Sequence, residues 1–508
     1  MSKHQAVFRR SAMAFVLASG AAVWASSAFA HGGSAAERLD ATQAAAAVCK
    51  GQVRSVTLVR AALEHAKQHA DLNAFVSLDE AGALAAAQAA DAARAAGKPC
   101  LPLQGVPIVI KDNLNVAGIA GVGATPALRD FKPAADAPVV AKLRAAGAVI
   151  IGKTNMHELA FGISGYNTAF KTGSQPGVRN AYDPSKMAGG SSSGTAAAIG
   201  ARIVPAGLGT DTGGSVRIPC ALNGCASLRP TVGRYSQEGI VPISHTRDTA
   251  GPMARSMADV ELIDRVITGA ARMRPASLRA VRLGVVPEFI ADLDDDTRAA
   301  TEAALARLRK AGVRIIDVQM PKVMELNGAV GFPVAVHEAY DDLAAYLKTN
   351  NVGKSIDEVA KGIGSPDVKG VFDAMVMPRK LIPPGGQPVD SAPAYKAALE
   401  TSRPALVKLY ADTFAANRLD GIVFPTVPRV ALDATPEASS PQNFGLFIRN
   451  TDPGSNAGVP GVNVPVALGK ASRLPIAIEI DGPAGSDRRL LAIGMAIEQL
   501  VGRLPAPR

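Results

Sequence analysis

Tryptophan occurs once in 508 residues, at Trp24, and aromatic residues together make up 4% of the chain. Seven histidines and four cysteines are also few for this length. A histidine-rich metal cluster or a Ser–His–Asp relay therefore has little to draw on. His65 and His69 stand four apart on one helical face, but no third ligand is near, so they read as a solvated face. No pair among Cys49, Cys100, Cys220 and Cys225 has zinc-site spacing. No metal and no organic cofactor is expected. The N-terminal apolar run, Ala12–Ala25, falls short of the ~20 residues a membrane span needs. Basic residues do not cluster among aromatics, which leaves no nucleic-acid footprint.

What is present begins at the N-terminus. Lys3, Arg9 and Arg10 precede the run Ala12–Ala25, and Ala28-Phe29-Ala30 follows it, the layout of a secretory signal peptide with cleavage near His31. The expected division is a signal peptide over 1–30 and one domain over 31–508, placed in the periplasm or secreted. No stable membrane insertion is expected after cleavage. Losing three basic residues and no acidic one lowers the net charge from +10 to +7 and removes Trp24. Export permits disulfides. Cys49 and Cys100 flank the N-terminal helices and are placed to pair. Cys220 and Cys225, in an apolar stretch, are expected as buried free thiols.

Three helices are expected to open the mature chain, over 35–49, 55–69 and 79–96. The register then changes to short β-branched runs, Gly105–Ile110 and Ala148–Ile151, with a helix at Ala137–Ala146 between them. Strand, helix and strand at that spacing imply parallel pairing. Further strands are read at Val204–Gly209, Gly239–Ile243, Val281–Val286, Val313–Val318, Asp420–Thr426, Val462–Val466 and Pro475–Ile480, with helices between and after them. Residues 321–404 are less regular and suit a helical insertion that caps a substrate site. The octad Gly147–Thr154 satisfies the phosphate-loop expression, but its middle is a strand rather than a turn, so nucleotide binding is excluded.

Chemistry concentrates between Gly189 and Arg229, in two small-residue loops, Gly189-Gly190-Ser191-Ser192-Ser193-Gly194 and Gly213-Gly214-Ser215. Gly190–Gly194 meets G-x-S-x-G, yet no apolar strand precedes it, and only His245 and His337 follow it as bases. Ser215 fits a nucleophile better. It follows a strand, and the glycines before it let N–H groups converge on an oxyanion, each worth ~3–4 kcal/mol. A serine needs a base. With histidine scarce, Lys111 at the end of a core strand is the lysine placed to lose its proton by burial.

These motifs, with Val109-Ile-Lys111-Asp-Asn113, resemble the amidase signature family of serine hydrolases. They match G-G-S-S-x-G, G-T-D-x-G-G-S-x-R-x-P and G-x-x-x-L-[KR]-P-T, and the likeness runs on through Gly147–Gly162, Asp420–Thr426, Asn456–Pro460 and Gly482–Leu491. It implies an α/β fold with a large mixed, mostly parallel β-sheet covered by helices on both faces. It also implies a Ser–Ser–Lys triad: Ser215 as nucleophile, Ser191 as bridge after a cis Gly190–Ser191 peptide, and Lys111 as base. Thr212, Gly213 and Gly214, with Ser215's own N–H, would form the oxyanion hole. Phe161, Gly162 and Gly190 would contact substrate, and Asp211 and Arg217 would brace the loop. The chain departs from many members at Ala226, Ser227 and Arg229.

The run Gly239–Met253 is similar to aryl-acetamide members, the indoleacetamide and mandelamide hydrolases. A small-molecule amide, an aryl-alkyl primary amide, is the expected substrate, and a homodimer stays open. Peptide, fatty-acyl or N-aryl amides are alternatives within the family. An A subunit of glutamyl-tRNA amidotransferase is another, which the export signal argues against. A binding protein with a dead site is the alternative outside it.

Overall fold

The computed structural model describes residues 39–170, 176–383 and 385–507, so the expected signal peptide lies outside the described residues. Strands form where short apolar runs end in turns: β1 (Phe75–Leu78), β2 (Pro107–Lys111), β3 (Val149–Thr154), β4 (Ala206–Asp211), β5 (Ala226–Arg229) and β6 (Thr249–Ala254). Then come β7 (Arg282–Val285), β8 (Arg314–Asp317), the short hairpin β9 (Lys380–Leu381) and β10 (Val389–Asp390), β11 (Gly421–Pro425), β12 (Gly461–Leu468) and β13 (Pro475–Asp481). All but the hairpin join one 11-stranded sheet, ordered β1-β3-β2-β4-β6-β5-β12-β13-β11-β7-β8. Parallel pairing occupies two blocks, β3–β2–β4 and β11–β7–β8, joined by antiparallel strands. Every residue of β2, β3, β4 and β6 is buried, as expected of strands covered on both faces.

The opening helices are Ala41–Cys49, Ser55–Gln68 and Glu80–Ala95. A disulfide from Cys49 to Cys100 ties the end of the first to the chain beyond the third. Cys220 and Cys225 correct the expectation of free thiols. They form a second disulfide, because the helix Arg217–Asn223 stops at Gly224 in the left-handed region and turns the two Cα atoms to 4.6 Å. Thr154 ends β3, and a single turn follows at Glu158–Ala160. Gly239–Ile243, expected as a strand, makes only an isolated bridge from Ile240 to Leu114.

The rejected phosphate-loop octad lies largely in β3. Its Lys153 is buried, pairs with Asp112 at 3.0 Å, and donates to the carbonyls of Asp112 and Gly121. Residues 321–404 contain the long helix Val323–Thr349, along which Val330, Val334, Val336, Leu343 and Leu347 are buried. No helix among the described residues is long and apolar enough to cross a membrane.

Candidate active site

Because β2 and β4 are parallel neighbours, their C-terminal ends lie side by side. They end in Lys111 and Asp211, both fully buried. Removing the ammonium from water disfavours its charge, and burial lowers the Lys111 amine from 10.5 to about 7 although Asp211 and Asp248 oppose the shift. Its Nζ lies 2.7 Å from Ser191 Oγ, 2.7 Å from Thr210 Oγ1 and 3.4 Å from the Thr210 carbonyl. A neutral amine has two protons and one lone pair. Donation of both protons to Thr210 leaves the lone pair for the Ser191 hydroxyl. Asn113 Nδ2 also donates to Thr210 Oγ1, at 3.0 Å, and so fixes that acceptor.

The first serine loop enters the helix Ser193–Gly200 through a cis Gly190–Ser191 peptide. The loop can sit this close to β4 because Gly209 has no side chain: a Cβ there would lie 2.7 Å from Ser192 Oγ. Ser192 pins the loop, donating to the Thr210 carbonyl and accepting from the Thr210 N–H. Its own N–H donates to the Ser215 carbonyl at 3.0 Å, so the two serine loops are tied to one another.

Asp211 organises the second loop. Its Oδ1 accepts from Gly214 N–H at 2.8 Å, Arg217 Nη2 at 3.0 Å and Arg229 Nη1 at 2.8 Å. Its Oδ2 accepts from Val216 N–H at 3.1 Å and Arg217 Nε at 3.0 Å. Burial alone would raise this carboxyl, but the two guanidiniums outweigh it and hold Asp211 well below the usual carboxylate range. Ser215 is thus bracketed by two N–H groups bound to one carboxylate. This arrangement engages one of the N–H groups expected to face an oxyanion. Gly214 N–H is committed to Asp211, so the free donors are those of Thr212, Gly213 and Ser215, which meet no acceptor among the described residues. Thr212 Oγ1 donates to Asp248 at 2.6 Å, and Thr451 Oγ1 donates to the Gly213 carbonyl at 2.6 Å.

Ser215 opens on a cavity of about 760 Å³. Its walls are mainly apolar, with Phe161, Ala335, Met375, Phe444 and Ile448 among them. Phe161 stacks edge-on with Phe372, their centroids 5.0 Å apart. Two polar pairs interrupt the apolar wall, His157 with Asp367 at 2.9 Å and Arg247 with Asp452. Two helices between residues 321 and 404 close one side, Val323–Thr349 supplying Phe332 and Val336 and Pro366–Val371 supplying Asp367 and Gly370.

The family model described as Amidase matches residues 57–491. The chain belongs to the amidase family. This amidase is 48% identical over 469 residues to mandelamide hydrolase of Pseudomonas putida, with 92% of each chain covered. It is 40% identical to indoleacetamide hydrolase of Rhizobium radiobacter, covering 88% of this chain and 93% of the relative. Among solved structures, native peptide amidase from Stenotrophomonas maltophilia superposes with a TM-score of 0.77 at 29% identity, covering 93% of this chain and 98% of the other. The protein is an amide hydrolase.

In the amidase, Lys111 and Ser191 are brought into contact, and Ser215, Thr212, Gly213, Phe161 and Gly162 line one cavity. Gly190 differs from expectation. It does not line the cavity but packs behind its wall, where a Cβ would lie 3.0 Å from Gly165 N and 3.3 Å from the Gly162 carbonyl oxygen. The roles of Thr210, Asp248 and the Arg247–Asp452 pair were not read from the sequence. Thr210 had a signal, since it adjoins Asp211 at the end of a core strand. Arg247 and Asp452 are 205 residues apart, and no local pattern joins them.

Proposed function

We propose that this amidase hydrolyses a small aryl-alkyl primary amide to a carboxylic acid and ammonia through Ser215, Ser191 and Lys111. The observation that carries the reading is the buried Lys111 amine, lowered to about 7 and 2.7 Å from Ser191 Oγ, on a loop tied through Ser192 to Ser215, which opens on an apolar cavity. Ser215 Oγ attacks the amide carbon while its proton passes to Ser191, whose own proton passes to Lys111. The carbonyl oxygen becomes an oxyanion facing the N–H groups of Thr212, Gly213 and Ser215. Collapse breaks the C–N bond, the relay returns its proton to nitrogen, and ammonia leaves an acyl ester on Ser215. Water, deprotonated by the same relay, cleaves that ester and restores the serine.

The aryl preference rests on the apolar walls and on the names of the two relatives. Action in the periplasm or outside the cell rests on the N-terminal sequence and on the Cys49–Cys100 and Cys220–Cys225 disulfides. Ammonia or amine release from a panel of aryl-acetamides, alkyl amides, peptide amides, fatty-acyl amides and anilides tests the substrate class. Turnover fastest on aryl-acetamides is expected, and a clear preference for any other class overturns that part. A Ser215→Ala variant that still hydrolyses the preferred amide overturns the mechanism. Cell fractionation of the full-length chain tests export: activity confined to the cytoplasm overturns it.

A further inference from the structure

Behind the nucleophile loop lies a charged cluster that the relay does not use. Two guanidiniums, Arg217 and Arg229, face three carboxyls, Asp211, Glu479 and Asp481, and all five side chains are within 1% of complete burial. Arg217 is the hinge of the cluster. It binds Asp211 through Nε and Nη2, meets Glu479 Oε1 through Nη1, and lies 4.0 Å from Asp481 Oδ1. Arg229 binds Asp211 alone among the three acids.

Glu479 and Asp481 alternate on β13 and therefore face the same side of the sheet. Asp481 Oδ1 and Glu479 Oε1 lie 2.5 Å and 3.0 Å from the point where a Cβ on Gly461 would stand, and the two carboxyls are within hydrogen-bonding reach of each other. Glu479 Oε2 and both oxygens of Asp481 have no hydrogen-bond donor among the described residues. Three undonated carboxylate oxygens at full burial are costly if every acid is ionised. A single proton changes both the charge and the hydrogen bonding. It balances the acids against the two guanidiniums, and it supplies the donor that joins the two carboxyls.

We propose that Glu479 and Asp481 hold one proton between them, and that this acid pair, acting through Arg217 and Asp211, positions the loop that carries Ser215. The ionised member is Glu479, which meets Arg217 directly, and the proton sits toward Asp481. Burial drives both carboxyls upward, and Arg217 opposes it. The other groups facing the pair are Asp211 on β4, Arg229 on β5 and the Tyr410 hydroxyl. Loss of the proton adds a negative charge that competes with Asp211 for Arg217. Asp211 then grips Gly214 and Val216 less firmly, on either side of Ser215. These are positioning residues. Their effect on turnover rests on Ser215 being the nucleophile, whereas the shared proton itself does not.

The test uses the full-length enzyme and Asp481→Asn, which copies the protonated acid in shape and cannot release a proton. At about pH 8 its kcat/KM is expected within about threefold of the parent, and the alkaline fall of the parent's pH profile is expected to disappear while the acid limb stays. Glu479→Gln, which takes the charge from Arg217, is expected to lose about tenfold or more. Infrared difference spectra of parent minus Asp481→Asn at about pH 7 are expected to show a protonated carboxyl band. Absence of that band, or an Asp481→Asn profile that overlays the parent at alkaline pH, overturns the proposal. If Asp481→Asn fails to fold, the parent's own infrared titration decides. Loss of a protonated carboxyl band in step with the alkaline fall supports the pair, and no such loss overturns it. The infrared result holds whichever amide is the substrate, so it separates this inference from the proposed function.

Discussion

Lys111 Nζ and Ser191 Oγ lie 2.7 Å apart although 80 residues separate them in the chain. Lys111 closes a core strand, and Ser191 sits in the loop that leads into the helix Ser193–Gly200, which packs against the neighbouring strand. The sheet therefore delivers the base, and the loop ahead of the helix delivers its partner. Neither position is exposed.

That burial has a consequence for stability with a definite sign. The Lys111 amine has a folded value of about 7, against 10.5 for the free side chain. Between these values the unfolded chain binds more protons than the folded one, so stability rises with pH through that window. Below about pH 7 the folded state carries the full penalty of a buried ammonium. Lys111→Met removes the penalty and is expected to stabilise the protein at neutral pH by on the order of 2–4 kcal/mol. The same change is expected to cost at least about 1,000-fold in kcat/KM. Denaturant unfolding and steady-state kinetics at about pH 7 check both halves. In the parent enzyme, kcat/KM is expected to rise with pH around 7, as the amine becomes neutral.

How much of this was legible beforehand follows from the range of each interaction. Lys111 was legible because a charge directly after Pro107–Ile110 violates the apolar pattern of a core strand. The serine loops were legible because glycine and serine in series cannot build a core. Other features arise only from tertiary context. β6 contains Gly251-Pro252-Met253, a poor strand sequence, and forms because β4 and β5 both pair with it. Gly239–Ile243 has strand-like residues but is drawn out of the sheet, since the N–H groups of Ile243 and Ser244 bind the Asp248 carboxylate. The helix Arg217–Asn223 has Pro219 within it, which hid both the helix and the Cys220–Cys225 bond that its end brings together. The commitment of Gly214 N–H to Asp211 likewise arises only in the folded loop, because glycine composition says nothing of where an N–H points.

Thr210 is expected to tune the base. Its hydroxyl receives Lys111 Nζ at 2.7 Å and Asn113 Nδ2 at 3.0 Å. Thr210→Val keeps the shape and removes that acceptor, so the amine loses the partner that holds its lone pair toward Ser191. A fall of about 10- to 100-fold in kcat is expected, with little change in KM. Thr210→Ser restores the hydroxyl and is expected to recover most of the loss. Equal activity of the valine and serine variants would show that the hydroxyl plays no part.

The Cys49–Cys100 disulfide is expected to contribute to stability through the chain it closes. The two residues are 51 apart, and closing a loop of that length restricts the unfolded chain by about 4 kcal/mol in the entropic account. A Cys49→Ser, Cys100→Ser double variant is expected to unfold at lower denaturant concentration with unchanged kinetics, because neither residue lines the cavity. Intact-mass measurement with and without reductant, after thiol alkylation, counts the bonds in the parent. Two are expected, given Cys220–Cys225.

Phe161 gives the sharpest handle on the cavity. Its ring lines the space that Ser215 opens on and is braced edge-on by Phe372. Removing it deletes apolar wall without touching Lys111, Ser191 or the loop donors. An aryl group that packs against this wall binds the ground state and the transition state alike, so Phe161→Ala is expected to act on KM. For an aryl-acetamide, KM is expected to rise about tenfold, the equivalent of about 1.4 kcal/mol, with kcat within about threefold of the parent. For acetamide, too small to reach the wall, kcat/KM is expected to stay unchanged. A kcat loss of the same size on both amides would instead place Phe161 in support of the catalytic loops, and the aryl-binding role would fall.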